Sequence, residues 1–138
     1  MEFLLYLTPI GREIIQNVIR AKYSVKENVG FCRDKNFFGY VNTNKLVICT
    51  NNIKHSGNDV KFYVNETVYH EATHIAHMCR GYKPFYIPLK DMPLPQSKLQ
   101  DIEKSVRMST SSRQIEHEAY WMEDKPEQVK YVIQKYCF

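Results

Sequence analysis

Hydrophobic positions change their spacing several times along the chain, and each change marks an element. Ile10, Ile14, Ile15, Val18 and Ile19 recur at helical spacing. They follow Thr8-Pro9, a capping residue with proline at the first helical position, so a helix opens there. Over residues 30–50 the pattern turns β-prone. Segments 37–41 and 46–49 flank Asn42-Thr43-Asn44-Lys45, which predicts a hairpin. Residues 55–59 are polar, contain Gly57 and predict a turn. Residues 60–64 alternate as a short strand would. Asn65 is placed as a helix cap and Gly81 as the stop of a helix about four turns long. Its back face carries Val68, Ala72, Ile75, Ala76 and Cys79. Pro84, Pro88, Pro93 and Pro95 make the next stretch a loop with polyproline-like pieces. Ser97 with Gln100 resembles a capping box, and Leu99, Ile102 and Val106 form one stripe of the helix behind it. Residues 109–112 mark a break, and another helix runs to about Asp124. Asp124, Pro126 and Glu127 open the last helix, with Val129, Val132, Ile133 and Tyr136 on its inner face. The order is an N-terminal helix, a small mainly antiparallel sheet, then four helices. Clustered strands argue an α+β fold.

Composition narrows the class. The 138 residues suit one domain over residues 1–138. A hydrophobic share of 43% with 25% charged residues excludes a disordered tail, a collagen-like chain and a coiled-coil rod. The longest apolar run, residues 3–7, is far short of a membrane span. It is also too short for a secretory core, and Glu2 stands where basic residues should be. No membrane partner is expected, and the chain is expected in a cytoplasm. Cys32, Cys49, Cys79 and Cys137 include no C-x-x-C pair, so they are expected as buried thiols. Ten Tyr, seven Phe and one Trp are expected to fill a core poor in leucine and alanine. Net charge is +4 with no long basic run, a weak argument for nucleic acid. Arg20, Lys22, Lys26, Arg33, Lys35 and Lys45 would carry such binding, which is not favoured as the primary role.

The chemistry concentrates in His70-Glu71-Ala72-Thr73-His74, an H-E-x-x-H motif within the long helix. Residues i and i+4 lie one above the other on a helix face. Two imidazoles so placed can bind one Zn²⁺, each at about 2.0–2.1 Å. Glu71 sits a third of a turn away and reaches a metal-activated water as general base. The bland alternative is a pair of surface histidines. A structural zinc would need four protein ligands, often cysteine, and Cys79 falls on the opposite face from His70. A catalytic zinc needs a third protein ligand. Glu116, Glu118, His117 and Glu123 are the downstream candidates. His117 reads more readily as a surface neighbour of a ligand. His77, one turn past His74, is a supporting or substrate-binding group, or simply a solvent-facing or hydrogen-bonded histidine. His55 lies in a turn and takes no role. Tyr120, Tyr82, Tyr86 and Arg113 are candidates to stabilise an oxyanion.

These motifs resemble those of gluzincin-type zinc metallopeptidases, in which a glutamate from a later helix completes a His/His/Glu site. Glu116-His117-Glu118-Ala119 is similar to the E-x-x-A of small gluzincins, and Glu118-Ala119 to the E-A of thermolysin-like enzymes. The resemblance implies His70, His74 and Glu116 as metal ligands, with Glu118 close behind. It departs at Tyr120, where small gluzincins usually carry Asp or Asn to support a ligand histidine. The likeness covers about a third of the chain. The segment 69–81 with the later Glu-Ala-Tyr-Trp-Met-Glu stretch also looks similar to metallopeptidase-like proteins of tailed phages. The implied activity is zinc-dependent hydrolysis of peptide bonds in a peptide or protein substrate. The alternative is a non-catalytic zinc-binding domain that engages a protein partner.

Overall fold

Thr8 caps the first helix, its hydroxyl accepting from Gly11 N at 3.1 Å. In the computed structural model, which describes residues 1–108 and 111–138, this helix is α1 (Pro9–Arg20), with Ile14, Ile15 and Val18 turned inward. Three strands follow: β1 (Ser24–Glu27), β2 (Gly39–Val41) and β3 (Lys45–Ile48). The expected hairpin forms, with Tyr40 opposite Val47 in the antiparallel β2–β3 pair. β1 joins the other edge of β3 in parallel, so the sheet order is β1-β3-β2 and the sheet is mixed. β1 was not foreseen. Ser-Val-Lys-Glu has one apolar residue and takes its place from pairing with β3 rather than from its own pattern. Glu27 then anchors the N-terminal turn, accepting from Glu2 N at 3.0 Å, Phe3 N at 2.8 Å and the Thr50 hydroxyl at 2.6 Å.

A short helix, α2 (Thr50–His55), precedes α3 (Val60–Cys79). Here two expectations fail. Residues 60–64 are the first turns of α3, not a strand, because the Asp59 carboxylate caps Phe62 N at 3.0 Å. Five alternating residues also fit a helix once Val64 and Val68 complete the i, i+4 pair. Asn65 is accordingly inside the helix. Its amide oxygen accepts from Thr8 N at 3.0 Å and its nitrogen donates to Tyr6 O at 2.9 Å, joining α3 to the entry of α1. The far end stops as expected. Gly81 has φ +75°, and Tyr82 N reaches back to His77 O at 2.9 Å.

After the proline-rich loop come α4 (Gln96–Met108), α5 (Arg113–Met122) and α6 (Pro126–Cys137). Ser97 lies inside α4 rather than capping it. The expected break at 109–112 falls partly on Ser109 and Thr110, outside the described residues; Ser112 caps α5, accepting from Ile115 N at 3.2 Å. The architecture is α+β, a small sheet beside a helical layer.

The main core joins α1, β3, α3 and α6, and a smaller cluster of Cys32, Val47 and Cys49 lies apart from it. Val68, Ala72, Ile75 and Ala76 of α3 are fully buried against Ile14 and Val18 of α1, Leu46 and Ile48 of β3, and Val129 and Ile133 of α6. Burying each large aliphatic side chain contributes roughly 1.5–3 kcal/mol. Of the aromatics only Phe3 and Tyr69 are buried in the main core; most, such as Tyr6, Phe38, Tyr63, Phe85 and Tyr136, lie at its edge and are partly buried. β-branched side chains fit better between a short sheet and closely packed helices. β2 lies tight against α3, since a Cβ on Gly39 would meet Thr67 Cγ2 at 2.6 Å and Val47 O at 2.9 Å. The cysteines are not free thiols. Cys32 pairs with Cys49 and Cys79 with Cys137. Partners 17 and 58 residues apart leave no local spacing signature. Among the described residues no helix is long and apolar enough to cross a membrane.

Candidate metal centre

α3 turns its apolar face to the core and its His70, Glu71, His74 and His77 toward a cleft of about 640 Å³ between β2, α4 and α5. α5 and the residue that ends it pack across α3 and bring three carboxylates to three histidines. The three pairs differ in what else holds the carboxylate.

Glu116 faces His74, with Oε2 3.1 Å from Nε2. Ligand atoms of His70, His74 and Glu116 all lie within 4.8 Å of one another. A tetrahedral ion with bonds of about 2.1 Å sets its ligand atoms about 3.4 Å apart, so small side-chain rotations suffice to close the set. Glu116 Oε2 is buried and lacks an aligned hydrogen bond, the contact to His74 being close but badly angled. A cation among the three atoms satisfies that oxygen, and two imidazoles with one carboxylate are an ordinary zinc donor set. The residues present fit the ion. Burial opposes ionisation of Glu116, but His74, His70 and His77 outweigh it and hold the carboxyl below its ordinary range. Burial pushes the His70 imidazole down, toward the neutral form a metal needs. His74 is also pulled down by burial, yet Glu116 and Glu71 beside it leave it raised.

Glu123, just past α5, accepts from His70 Nδ1 at 2.9 Å. That bond fixes the ring and leaves Nε2 for the cleft, the orienting role carboxylates take behind metal-bound histidines. Glu123 is therefore not placed as a ligand, and it supplies the support that Tyr120 does not. Behind it lies Glu66, a turn before His70. Burial pushes both carboxyls up, to about 7 each, and Glu123's charge adds to the rise at Glu66, so the two share a proton near neutrality. Lys98, 3.6 Å from Glu123, pulls that carboxyl back down. Sequence reasoning missed Glu66, although its i, i+4 spacing to His70 is visible in the chain.

Glu118 is committed elsewhere. It accepts from His77 Nε2 at 2.8 Å, Phe85 N at 2.8 Å, Ile87 N at 3.1 Å and Gln114 Nε2 at 3.0 Å. Burial raises its pKa, but these donors more than compensate and hold it down. His77 is a hydrogen-bonded histidine and not a solvent-facing one: it is buried, stacked on Phe85 at 4.3 Å and bound to Glu118. His117 contacts Met92 O through Nε2 at 2.8 Å and tethers the proline-rich loop. His55 ends α2, away from the cleft.

Glu71 lines the cleft beside both histidines. Of the four oxyanion candidates, Tyr120 and Tyr82 line it as well, whereas Tyr86 does not and Arg113 pairs with exposed Glu103. The Tyr120 ring stands edge-on to His70 at 4.6 Å and its hydroxyl lies 3.3 Å from Ser105 Oγ. Burial pushes its pKa to about 12, so the phenol stays a proton donor.

The family described as Domain of unknown function (DUF8637) matches residues 3–138, nearly the whole chain, and the chain belongs to it. No curated protein and no solved structure matches.

Proposed function

We propose that this member of the DUF8637 family is a gluzincin-like zinc metallopeptidase, with His70, His74 and Glu116 as metal ligands and Glu71 as general base. One observation carries the reading: three donor atoms within 4.8 Å, one of them a buried carboxylate oxygen without an aligned hydrogen bond, at a cleft that Glu71 also lines. When bound, Zn²⁺ supplies Lewis-acid chemistry, polarising the scissile carbonyl and making water more acidic. Glu71 takes a proton from the attacking water as its oxygen adds to the carbonyl carbon. The same carboxylic acid then delivers that proton to the amine nitrogen as the C–N bond breaks. The Tyr120 or Tyr82 phenol donates to the oxygen that gains charge. The Glu123 carboxylate keeps His70 in the tautomer that presents Nε2.

The two disulfides weigh against a persistently reducing cytoplasm as the place of action, since such bonds last in oxidising compartments. The test is Glu71→Gln, compared with the wild type for metal content and for cleavage of an unfolded protein. The variant is expected to keep about one zinc per chain and lose turnover. Full activity in the variant removes Glu71 from its role. Stable zinc with no cleavage by the wild type points instead to a non-catalytic zinc domain that binds a protein partner.

A further inference from the structure

The cleft above the triad has two unlike walls. One is aromatic. Phe37, Phe38 and Tyr40 run along β2 and the segment before it. Phe31 stands edge-on to Tyr40 at 5.3 Å, Tyr63 edge-on to Phe38 at 5.7 Å, and Tyr82 adds a sixth ring. Phe31 and Tyr82 are 55% and 58% exposed, large apolar surface beside polar chemistry. The other wall carries Glu66, Glu71, Asp101, Glu116 and Glu123. Among the described lining residues there is no Lys or Arg. Lys98 is held at Glu123 and the Tyr120 carbonyl, and Arg113 is paired with Glu103.

This distribution runs against the rest of the molecule. The chain has 19 basic and 15 acidic residues, yet five acids and none of the bases line the cleft. A divalent ion at the triad offsets two of the five carboxylates and the proton shared by Glu66 and Glu123 a third, which still leaves the wall net negative. A concave, low-dielectric cleft focuses its own field. An acidic segment entering it meets like charge while losing water. A basic segment gains ion pairs and can lay its cation over the exposed rings.

We infer that the cleft takes a peptide segment with a bulky aromatic or aliphatic side chain against the Phe31–Tyr40 wall and a Lys or Arg against the carboxylate wall, and that it excludes acidic segments. This rests on the peptidase reading for turnover, not for binding. Two fluorescent peptides with one central Phe-Leu, flanked by lysines or by glutamates, separate the two. Binding is measured by anisotropy on zinc-loaded Glu71→Gln protein, and cleavage on zinc-loaded wild type. The lysine peptide is expected to bind about tenfold more tightly at low salt, the scale of two or three part-exposed ion pairs. The gap should shrink at high salt. Asp101→Asn, at an exposed position on α4, should narrow it by about twofold to threefold. Phe31→Ala should weaken both peptides. Equal binding, a preference for the glutamate peptide, or no binding of either overturns the inference. Equal cleavage of both peptides also overturns it and leaves the hydrolase standing. A lysine preference without cleavage removes the hydrolase and leaves the preference.

Discussion

Replacing Glu116 and Glu118 separately should give opposite phenotypes, although the two residues share one helical turn. Glu118→Ala removes the acceptor of four hydrogen bonds, leaving the buried His77 ring, two loop amides and Gln114 without it. A hydrogen bond to a charged group contributes about 1.5–3 kcal/mol. Burial lowers the His77 pKa, so Glu118 accepts from a neutral ring and the loss is that of buried donors left unpaired, about 3–5 kcal/mol for groups sharing one carboxylate rather than the full sum. For a domain with roughly 5–15 kcal/mol of stability this takes about a fifth of it or more. Glu116→Ala removes a buried carboxylate whose Oε2 has no aligned hydrogen bond. Burial opposes its charge but the surrounding histidines outweigh burial, so its loss should cost the metal-free protein only about 1 kcal/mol, well short of the Glu118 loss. Urea unfolding with chelator present measures the first effect; elemental mass spectrometry of the dialysed protein measures the second. Glu118→Gln, which keeps the shape and one acceptor, should fold and hold zinc. Glu116→Ala should fold and lose it. The reasoning is refuted if Glu118→Ala is no less stable than Glu116→Ala, or if folded Glu118→Gln loses zinc while Glu116→Ala retains it.

Three further outcomes follow from the same geometry. Glu123→Gln should weaken zinc binding about 10- to 100-fold by loosening His70, read by competition with a chromophoric chelator; unchanged affinity removes the orienting role. Burial raises the Glu27 pKa, but the Thr50 hydroxyl and the amides of Phe3 and Glu2 outweigh it and leave the pKa lowered. Its stabilisation is then present above the unfolded pKa of about 4.3 and is lost as pH falls through the folded value. Glu27→Gln should flatten that acid-side fall, by about 1 kcal/mol, in stability measured across pH 3–6. Opening the Cys79–Cys137 bond by paired serine substitution should cost roughly 4 kcal/mol and opening Cys32–Cys49 roughly 3, from loops of 58 and 17 residues. Equal unfolding midpoints with and without reductant would show that neither bond forms.

What the sequence revealed depended on where the determining interactions lie. α1, the hairpin, the end of α3 at Gly81 and the inner face of α6 were legible because caps, turn residues and periodicity are local. β1 was not, because a strand with one apolar residue is selected by β3, whose paired residues lie 21 positions further on. The start of α3 was misplaced because a five-residue alternation does not separate strand from helix, and the deciding contact is a single aspartate. The disulfides depend on distant partners. At the site, the H-E-x-x-H helix and the set of candidate glutamates were readable. Their assignment was not, since all lie within eight residues, and what distinguishes them is the loop, Lys98 and Glu66 packed behind.

That distinction explains why α5 needs three carboxylates. Each histidine of α3 that faces it, at positions 70, 74 and 77, meets one. Glu118 is bound by two backbone amides of the proline-rich loop, so it fixes loop to helix and His77 to both. Glu123 sits between Lys98 and a second carboxyl, so its charge is tempered and it can orient His70 without drawing the ring away. Glu116 has histidines around it and a buried oxygen left over. The histidines favour its charge, and a cation would give the remaining oxygen the partner it lacks. The two outer pairs set the spacing of α3 against α5, and the middle pair is left with the space and the unpartnered oxygen. If that division holds, a Glu123→Gln, Glu118→Gln double variant should lose metal affinity by more than the product of the single losses. Each outer pair restrains the other's error in helix placement. A strictly multiplicative loss, measured by the same chelator competition, would show that each pair acts alone.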